Sequence, residues 1–176
     1  MTIDYNTMSD QELIKTYADC IKNLRDRKII RTKNVLGDLG EYLAIDYYCN
    51  NPKLPNLLKT EIGTENIDAI SRKGERYSIK STSNNTTGVF YGLNAVNDPL
   101  SNKKVFEYVI ICRFSDECEL ESIYQINWET FIRYKKWHKR MNAWYLTLSK
   151  KLIEESTVIF DKKPKIKINE TKGITQ

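Results

Sequence analysis

The segment from Asn66 to Lys80 reads NIDAISRKGERYSIK, in which two short apolar-polar alternations flank the turn-forming residues 72–74 (RKG). A three-residue loop that ends in glycine is typical of a β-hairpin, because a type I turn is completed by a residue in the left-handed region. With this loop Ser71 pairs with Glu75. The segment therefore predicts an antiparallel hairpin.

The register of this hairpin separates apolar from polar side chains. Because side chains alternate along a strand, one face receives four apolar residues, Ile67, Ala69, Tyr77 and Ile79. The other face receives Asp68, Ser78 and Lys80. A two-residue loop would break this separation, so the turn and the alternation independently predict one register.

The polar face of the hairpin carries groups suited to metal-assisted chemistry. Asp68 offers the hard oxygen ligands that Mg²⁺ prefers, and Lys80 could orient or deprotonate a water or stabilise charge on a phosphate. A second carboxylate is needed, and Glu41 is the candidate, in the predicted helix segment GDLGEY (37–42), whose glycines suit close packing on a sheet. From spacing alone, an ordinary Asp68–Lys80 ion pair and a solvated Glu41 are the commoner arrangement.

A G-x-x-G-E helix followed by a D-(x)n-(E/D/S/Q)-x-K hairpin resembles the PD-(D/E)xK, or restriction-endonuclease-like, nuclease superfamily. The matching residues, which lie within about 35–82, are Glu41, Asp68, Ser78 and Lys80. The resemblance implies a mixed central β-sheet flanked by helices. It further implies a Mg²⁺ ion bound by Asp68 and Glu41, and a lysine that assists the attacking water.

Two positions depart from the superfamily pattern. Residues 66–68 (NID) stand where Pro-Asp is usual, but the proline performs no chemistry. Ser78 stands where an acid is usual, which removes one anionic ligand. We expect Glu41 to replace it, as a helix glutamate does in some restriction enzymes of this class; otherwise the site is weak or inactive. Glu75, at the turn end of the hairpin, is a poor candidate for a ligand.

Two further segments are candidates for contacts with DNA. Small polar side chains follow the site strand and could hydrogen-bond phosphates or sugar edges; the candidates are Ser81, Thr82, Asn84 and Asn85. Residues 128–144 interleave aromatic and basic side chains, as a helix on a DNA backbone would; the candidates are Arg133, Lys135, Lys136, Lys139 and Arg140. A plain polar loop and a solvated helix face are the alternatives.

Charge is distributed unevenly along the chain, whose net value is +5. From residue 133 onward, twelve lysines and arginines accompany four acids, a balance of +8, whereas the preceding residues carry −3. A basic C-terminal part suggests a polyanionic partner, but a solvated tail would look the same. We expect residues 161–176 to form a basic tail.

The remaining pattern predicts helices before a sheet. A capping box opens a helix over 9–28, and further helices are expected over 35–49 and 128–140. Residues 54–64 are expected to be a loop, and 105–114 a buried central strand. The other expected strands are 67–71, 76–81, 88–93, 120–126, 143–148 and 157–160. This order is typical of an α+β or three-layer α/β fold.

Composition restricts the class of protein. With 176 residues, 40% hydrophobic and 11% aromatic, residues 1–160 are expected to form one nuclease-like domain with N-terminal helices. No apolar run approaches the roughly 18 residues that span a bilayer, and the N-terminus does not resemble a signal peptide. Four scattered cysteines without a CxxC pair favour free thiols in a reducing cytoplasm.

Together these features predict a cytoplasmic, Mg²⁺-dependent, type II restriction-like endonuclease that hydrolyses phosphodiester bonds of double-stranded DNA, with no membrane partner. Cutting both strands of a symmetric site needs two active sites, so a homodimer is expected. One alternative is a DNA-binding protein on the same fold whose site has decayed at Ser78. Others are a structure-selective junction resolvase or repair nuclease, and an unrelated α+β binding module.

Overall fold

The computed structural model describes residues 3–61, 64 and 66–162. The elements of this part of the chain, in order, are α1 (Asp10–Asp26), α2 (Val35–Asn50), β1 (Leu57–Lys59), β2 (Ala69–Ser71), β3 (Arg76–Thr82), β4 (Tyr108–Phe114), β5 (Leu120–Asn127), α3 (Trp128–Tyr134), β6 (Lys136–His138), β7 (Ala143–Tyr145), α4 (Lys150–Glu155) and β8 (Thr157–Asp161). Short 3-10 turns lie at Tyr5–Thr7 and Lys139–Met141.

The first two helices begin where the sequence supplies a cap. Ser9 Oγ accepts the backbone N–H of Glu12, and the Glu12 carboxylate accepts the N–H of Ser9, which is the predicted capping box. The side chain of Asn34 accepts the N–H of Gly37 and starts α2. Both helices therefore begin as the sequence predicts.

Six strands form one mixed sheet in the order β1-β2-β3-β4-β5-β8. All neighbours run antiparallel except β3 and β4, which are parallel and place Lys80 beside Ile111. A parallel pair requires a crossover, which residues 83–107 provide. Strand β4 is buried on both of its faces, from Val109 to Cys112, as its apolar run predicts.

The sheet is covered on both faces, which gives a mixed α/β (α+β) fold with a central sheet flanked by helices, as predicted. On one face, Ala44 and Tyr48 of α2 pack with Ala69, Tyr77 and Ile79 of the hairpin. On the other face, α3, α4, the crossover and the β6–β7 ribbon form a second core, which includes Phe90, Phe106, Phe131 and Trp144.

The structure differs from the sequence expectation in four elements. Residues 57–59, expected to be a loop, form edge strand β1 because they pair with β2. Residues 88–93, expected to be a strand, make only an isolated bridge between Phe90 and Trp144. The helix expected over 128–140 ends at Tyr134, where the chain turns into the β6–β7 ribbon. Helix α4 was not expected.

The ends of the described chain bear on three further expectations. Asp161, the first residue of the expected basic tail, belongs to β8, and residues 163–176 lie outside the described residues. Within the described ranges, no helix has both the length and the apolarity that crossing a membrane requires. All four cysteines are free thiols, as expected, and Cys112 is buried.

Candidate active site

The β2–β3 hairpin has the predicted register. Gly74 lies in the left-handed region with a φ of 82°, and its N–H donates to the carbonyl of Ser71 at 2.9 Å. Ala69 pairs with Tyr77. The N–H of Asp68 donates to the carbonyl of Tyr77 at 2.8 Å, although Tyr77 is the partner of Ala69, so the regular ladder ends at Ala69. Turn chemistry and apolar alternation therefore predict the pairing from Ala69 to Tyr77 correctly, whereas the strand expected over 67–71 begins only at Ala69.

Oδ2 of Asp68 accepts two hydrogen bonds and also forms an ion pair. The N–H of Ile79 donates at 2.6 Å and the hydroxyl of Ser78 at 3.3 Å, while Nζ of Lys80 lies 3.9 Å away. Among the described residues, none donates a hydrogen bond to Oδ1 of Asp68. The described residues therefore hold this carboxylate through Oδ2 alone.

Lys80 projects to the same face of the hairpin as Asp68. Its ammonium lies over the ring of Phe90, 5.0 Å from the ring centroid, and the negative face of an aromatic ring attracts a cation. Phe90 is fully buried and therefore offers a fixed platform. The aromatic ring and the Asp68 carboxylate together orient the ammonium group.

Ser78 shares that face but is fully buried. Its hydroxyl donates to Asp68, so its place in the structure is to position the carboxylate. Glu75 lies at the turn, where its carboxylate accepts the hydroxyls of Ser71 and Tyr77. Those contacts hold Glu75 at the turn end of the hairpin.

Glu41 projects from α2 toward two cations. Its Oε2 lies 2.8 Å from Nη2 of Arg31 and 3.2 Å from Nζ of Lys59. In the described part of the chain, no donor contacts Oε1. The sequence did not predict either cation, because Arg31 precedes α2 and Lys59 lies on edge strand β1. No periodicity links them to Glu41.

A second acid of α2 fixes the segment that carries Arg31. The buried carboxylate of Asp38 accepts the backbone N–H groups of Arg31, at 2.6 Å, and of Thr32. Burial acts to raise the pKa of Asp38, but the hydrogen bonds from Thr32 and Arg31 outweigh it and hold the pKa below its usual value. Asp38 therefore remains an anion that anchors Arg31 beside Glu41.

Helix α2 approaches β3 at a glycine. A Cβ added to Gly40 would lie 1.8 Å from Oγ of Ser81. The close approach predicted for the glycines of α2 therefore occurs at Gly40, whereas Gly37 makes room for the side chain of Asn34.

Glu41, Asp68 and Lys80 line a single cleft of about 300 Å³. Its walls come from α2, β3 and the loop that follows β3. Further lining residues are Ile79, Ser81, Gly88 and Tyr91. The structure thus brings together the three charged residues that the sequence singled out.

The two carboxylates that line this cleft are ligands of the kind that Mg²⁺ prefers. Mg²⁺ usually keeps several waters and is held by one or two carboxylates together with substrate phosphates. Oδ1 of Asp68 and Oε1 of Glu41 are the oxygens without a donor among the described residues. In those residues, no group of three or more His, Cys, Asp or Glu could hold a metal, so the protein there offers no closed cage.

The segment after β3 forms a structured turn. The buried hydroxyl of Thr82 donates to the carbonyl of Thr86 at 2.7 Å, and Oδ1 of Asn84 accepts the N–H of Thr86 at 2.7 Å. Ser81 points toward α2, and its buried hydroxyl has no partner in the described part of the chain. Asn84 and Asn85 are exposed, so of the four candidates they are the best placed to reach DNA.

The cations of residues 133–140 do not share one helix, because α3 ends at Tyr134 and Lys135 has an extended ψ of 139°. The expected helix along a DNA backbone is therefore wrong. Four cations of this segment are exposed, Arg133, Lys136, Lys139 and Arg140.

Two cations of the segment make contacts within the chain. Arg133 forms an ion pair with Glu155 of α4. Nζ of Lys135 lies 4.0 Å from the ring centroid of Trp144 and donates to the carbonyl of Ser101 at 2.8 Å. Desolvation lowers the pKa of Lys135. Arg133 thus joins α3 to α4 at the surface, whereas Lys135 packs on an aromatic ring of the second core.

Comparison of the chain with protein-family models finds no match, and comparison with curated proteins finds none. The chemistry that the cleft side chains can perform is therefore the guide to function.

Proposed function

We propose that this protein is a Mg²⁺-dependent endonuclease of the restriction-endonuclease-like class, which hydrolyses phosphodiester bonds of double-stranded DNA. The observation that carries the proposal is the convergence of Asp68, Glu41 and Lys80 in one cleft. Two carboxylates, each with one oxygen that accepts no hydrogen bond from the described residues, lie beside an ammonium group, and these are the groups that such chemistry uses.

The two acids would hold the metal, Asp68 from the hairpin and Glu41 from α2. A bound Mg²⁺ would polarise a phosphoryl oxygen and lower the pKa of a coordinated water. Hydrogen bonds from Ile79 and Ser78 fix Oδ2 of Asp68, so the direction of Oδ1 is set before any ligand arrives. Such preorganisation avoids reorganisation during the reaction.

Lys80 would act on the water or on the phosphate. Its ammonium is held between Asp68 and the ring of Phe90, so its position is restricted on two sides. From there it would donate a hydrogen bond that orients the attacking water or stabilises negative charge on a phosphate oxygen.

Charge in and around the cleft also favours a phosphate. The ion pairs there involve three cations, Arg31, Lys59 and Lys80, and two acids. These cations are placed where they could contact the phosphates of an anionic backbone. Arg31 and Lys59 would additionally position Glu41, in the way that residues around metal ligands commonly do.

Binding of the duplex would involve the exposed basic and amide side chains described above. Phosphate contacts from Lys136, Lys139 and Arg140 would supply affinity without sequence preference. Because each subunit has one cleft, cleavage of both strands of a symmetric site would require a homodimer.

The direct test is incubation of the purified chain with supercoiled plasmid, with and without Mg²⁺, followed by sequencing of the ends produced. We expect nicked or linear DNA with Mg²⁺ only, and none from Asp68→Asn. A matched control is Asp46→Asn, an exposed acid on α2, which should cut as the wild type does. Cleavage by Asp68→Asn at the wild-type rate would refute the assignment; duplex RNA as a parallel substrate tests the DNA preference.

A DNA-binding protein with a decayed site is the second candidate, and two observations favour it. Ser78 supplies no charge, and Glu41 is already paired with two cations. This candidate predicts binding of DNA without cleavage at any Mg²⁺ concentration. Thermal stabilisation by Mg²⁺ that disappears in Asp68→Asn would show a metal site, and cleavage then decides between the two candidates.

A further inference from the structure

Helix α1 exposes a large apolar surface. Leu13, Ile14 and Tyr17 are 45%, 67% and 66% exposed, and none of the 17 residues of α1 is buried in the described part of the chain. Contiguous exposed apolar side chains on an amphipathic helix mark an interaction site.

The apolar residues of α1 have the spacing of a coiled-coil seam. Leu13, Tyr17, Cys20 and Leu24 follow one another at intervals of four, three and four residues, which is the alternation of a and d positions in a heptad. Charged residues occupy the seam only at its two ends, where Asp10 and Arg27 continue the same spacing.

We infer that α1 packs against α1 of a second copy of this chain, antiparallel about a twofold axis. In this arrangement Leu13 lies opposite Leu24 of the second copy, and Tyr17 lies opposite Cys20. The terminal layers then bring Asp10 against Arg27, so opposite charges meet at both ends. A parallel pair would bring Asp10 against Asp10 and Arg27 against Arg27, which is unfavourable.

The pairing of Asp10 with Arg27 therefore favours a second copy of α1 as the partner, in the antiparallel orientation. A twofold contact uses the same surface on both subunits, which is the commonest symmetry of soluble oligomers. The inference supplies an interface for the proposed homodimer, yet it rests on α1 alone. A mass measurement tests the α1–α1 contact without any measurement of cleavage. The contact and the proposed cleavage activity can therefore be refuted separately.

The first experiment measures the mass of the full chain by light scattering and sedimentation over a range of concentrations. We expect a dimer for the wild type. Leu13→Glu should raise the dissociation constant at least about tenfold, because two leucine layers per dimer are lost. Lys22→Glu, on the outward side of the same helix, should leave it within about threefold.

The second experiment tests direction by oxidation, in a Cys49→Ser, Cys118→Ser background that removes the other exposed thiols. Adding Tyr17→Cys should give a covalent dimer, with the new thiol joined to Cys20 of the second copy in peptide mapping. In the background variant without Tyr17→Cys, the antiparallel arrangement offsets the two Cys20 residues by about 4.5 Å along the helix axis. This offset is too large for ready disulfide formation.

Three outcomes would overturn the inference. They are a monomer at every concentration, equal weakening by Leu13→Glu and Lys22→Glu, and a Cys20–Cys20 disulfide in the background variant, which would indicate a parallel pair. A far-ultraviolet circular dichroism spectrum of Leu13→Glu that matches the wild type would confirm that weaker association does not result from unfolding, since Leu13 is exposed.

Discussion

A Cβ at position 40 would lie 1.8 Å from Oγ of Ser81, so the absence of a side chain at Gly40 sets how closely α2 approaches β3. The neighbours of these two residues are Glu41 and Lys80, which line the cleft. The separation between Glu41 and Lys80 therefore depends on the contact between their neighbours, Gly40 and Ser81.

Gly40→Ala is expected to destabilise the fold by about 1–3 kcal/mol, because the added methyl group overpacks the interface between α2 and β3. This loss would exceed the gain in helix propensity, which is at most about 1 kcal/mol. Urea denaturation measures the difference. In a Ser81→Ala background the same change should cost less, and an equal cost in both backgrounds would show that Ser81 is not the obstacle.

Ser81→Ala alone is expected to be neutral or to stabilise by up to about 1 kcal/mol, because it removes a buried hydroxyl without a partner. The matched control is its neighbour, Thr82→Val, which removes a buried hydroxyl that bonds Thr86. That change should cost about 1–3 kcal/mol. A marked loss of stability in Ser81→Ala would mean that its hydroxyl has a partner, such as bound water.

Glu41→Gln is expected to reduce cleavage as severely as Asp68→Asn, because Ser78 supplies no charge and only these two carboxylates remain for Mg²⁺. The double variant should be no worse than either single one, since groups that act as a unit are not additive. Single-turnover rates with saturating enzyme measure all three. A Glu41→Gln enzyme that cuts as fast as the wild type would show that the helix acid does not replace the missing hairpin acid.

Two basic residues of the 133–140 segment should respond differently to removal. Lys135→Ala should lower the melting temperature, because Nζ contacts Trp144 and the carbonyl of Ser101. Arg140→Ala should leave the melting temperature unchanged, because this side chain is exposed. It should instead reduce the slope of log affinity against log salt by about 0.9 for a lost phosphate contact. If Lys135→Ala changed the salt slope and Arg140→Ala lowered the melting temperature, Lys135 would be the phosphate contact and Arg140 the structural residue.

Acid should weaken the fold partly through Glu107. The guanidinium of Arg76 bonds both oxygens of this carboxylate and lowers its pKa to about 2. Because the folded-state pKa lies below the ordinary value of 4.5 for a glutamate, the contribution of this ion pair to stability is complete above pH 4.5. It is lost as the pH falls toward 2.

Glu107→Gln should therefore destabilise the protein by on the order of 1–2 kcal/mol at neutral pH, a figure that allows for solvent screening at this partly exposed pair. The difference from the wild type should shrink as the pH is lowered from 4.5. Urea denaturation at a series of pH values measures it. A difference that stays constant down to pH 2 would mean that the ion pair is not its source.

The features predicted correctly are those that local sequence determines. Gly74 specifies the turn, the alternation around Asp68 specifies the faces, and Ser9 with Glu12 specifies a helix start. Each depends on residues within a few positions of one another, where propensity and geometry act directly.

The features missed depend on distant partners. Leu57 to Lys59 become a strand only because the edge of β2 is available for pairing. Trp137 has helical spacing from Phe131, yet it packs against Trp144 across the β6–β7 ribbon, so tertiary packing overrides the local period. Arg31 reaches Glu41 through the fold of the chain before α2, which the spacing of charges does not reveal.

The crossover between β3 and β4 has a consequence for the order in which the cleft is completed. The Asp68–Lys80 hairpin needs contacts only between near neighbours, so it can form early in folding. The loop that carries Gly88 and Tyr91 is instead bridged to distant residues, Thr86 to Thr147 and Phe90 to Trp144, so it can be placed only after those residues have folded against the sheet. A kinetic experiment should therefore find amide protection in the hairpin before it appears in the loop, so that an incompletely folded chain would present Asp68 and Lys80 without the wall of the cleft formed by Gly88 and Tyr91.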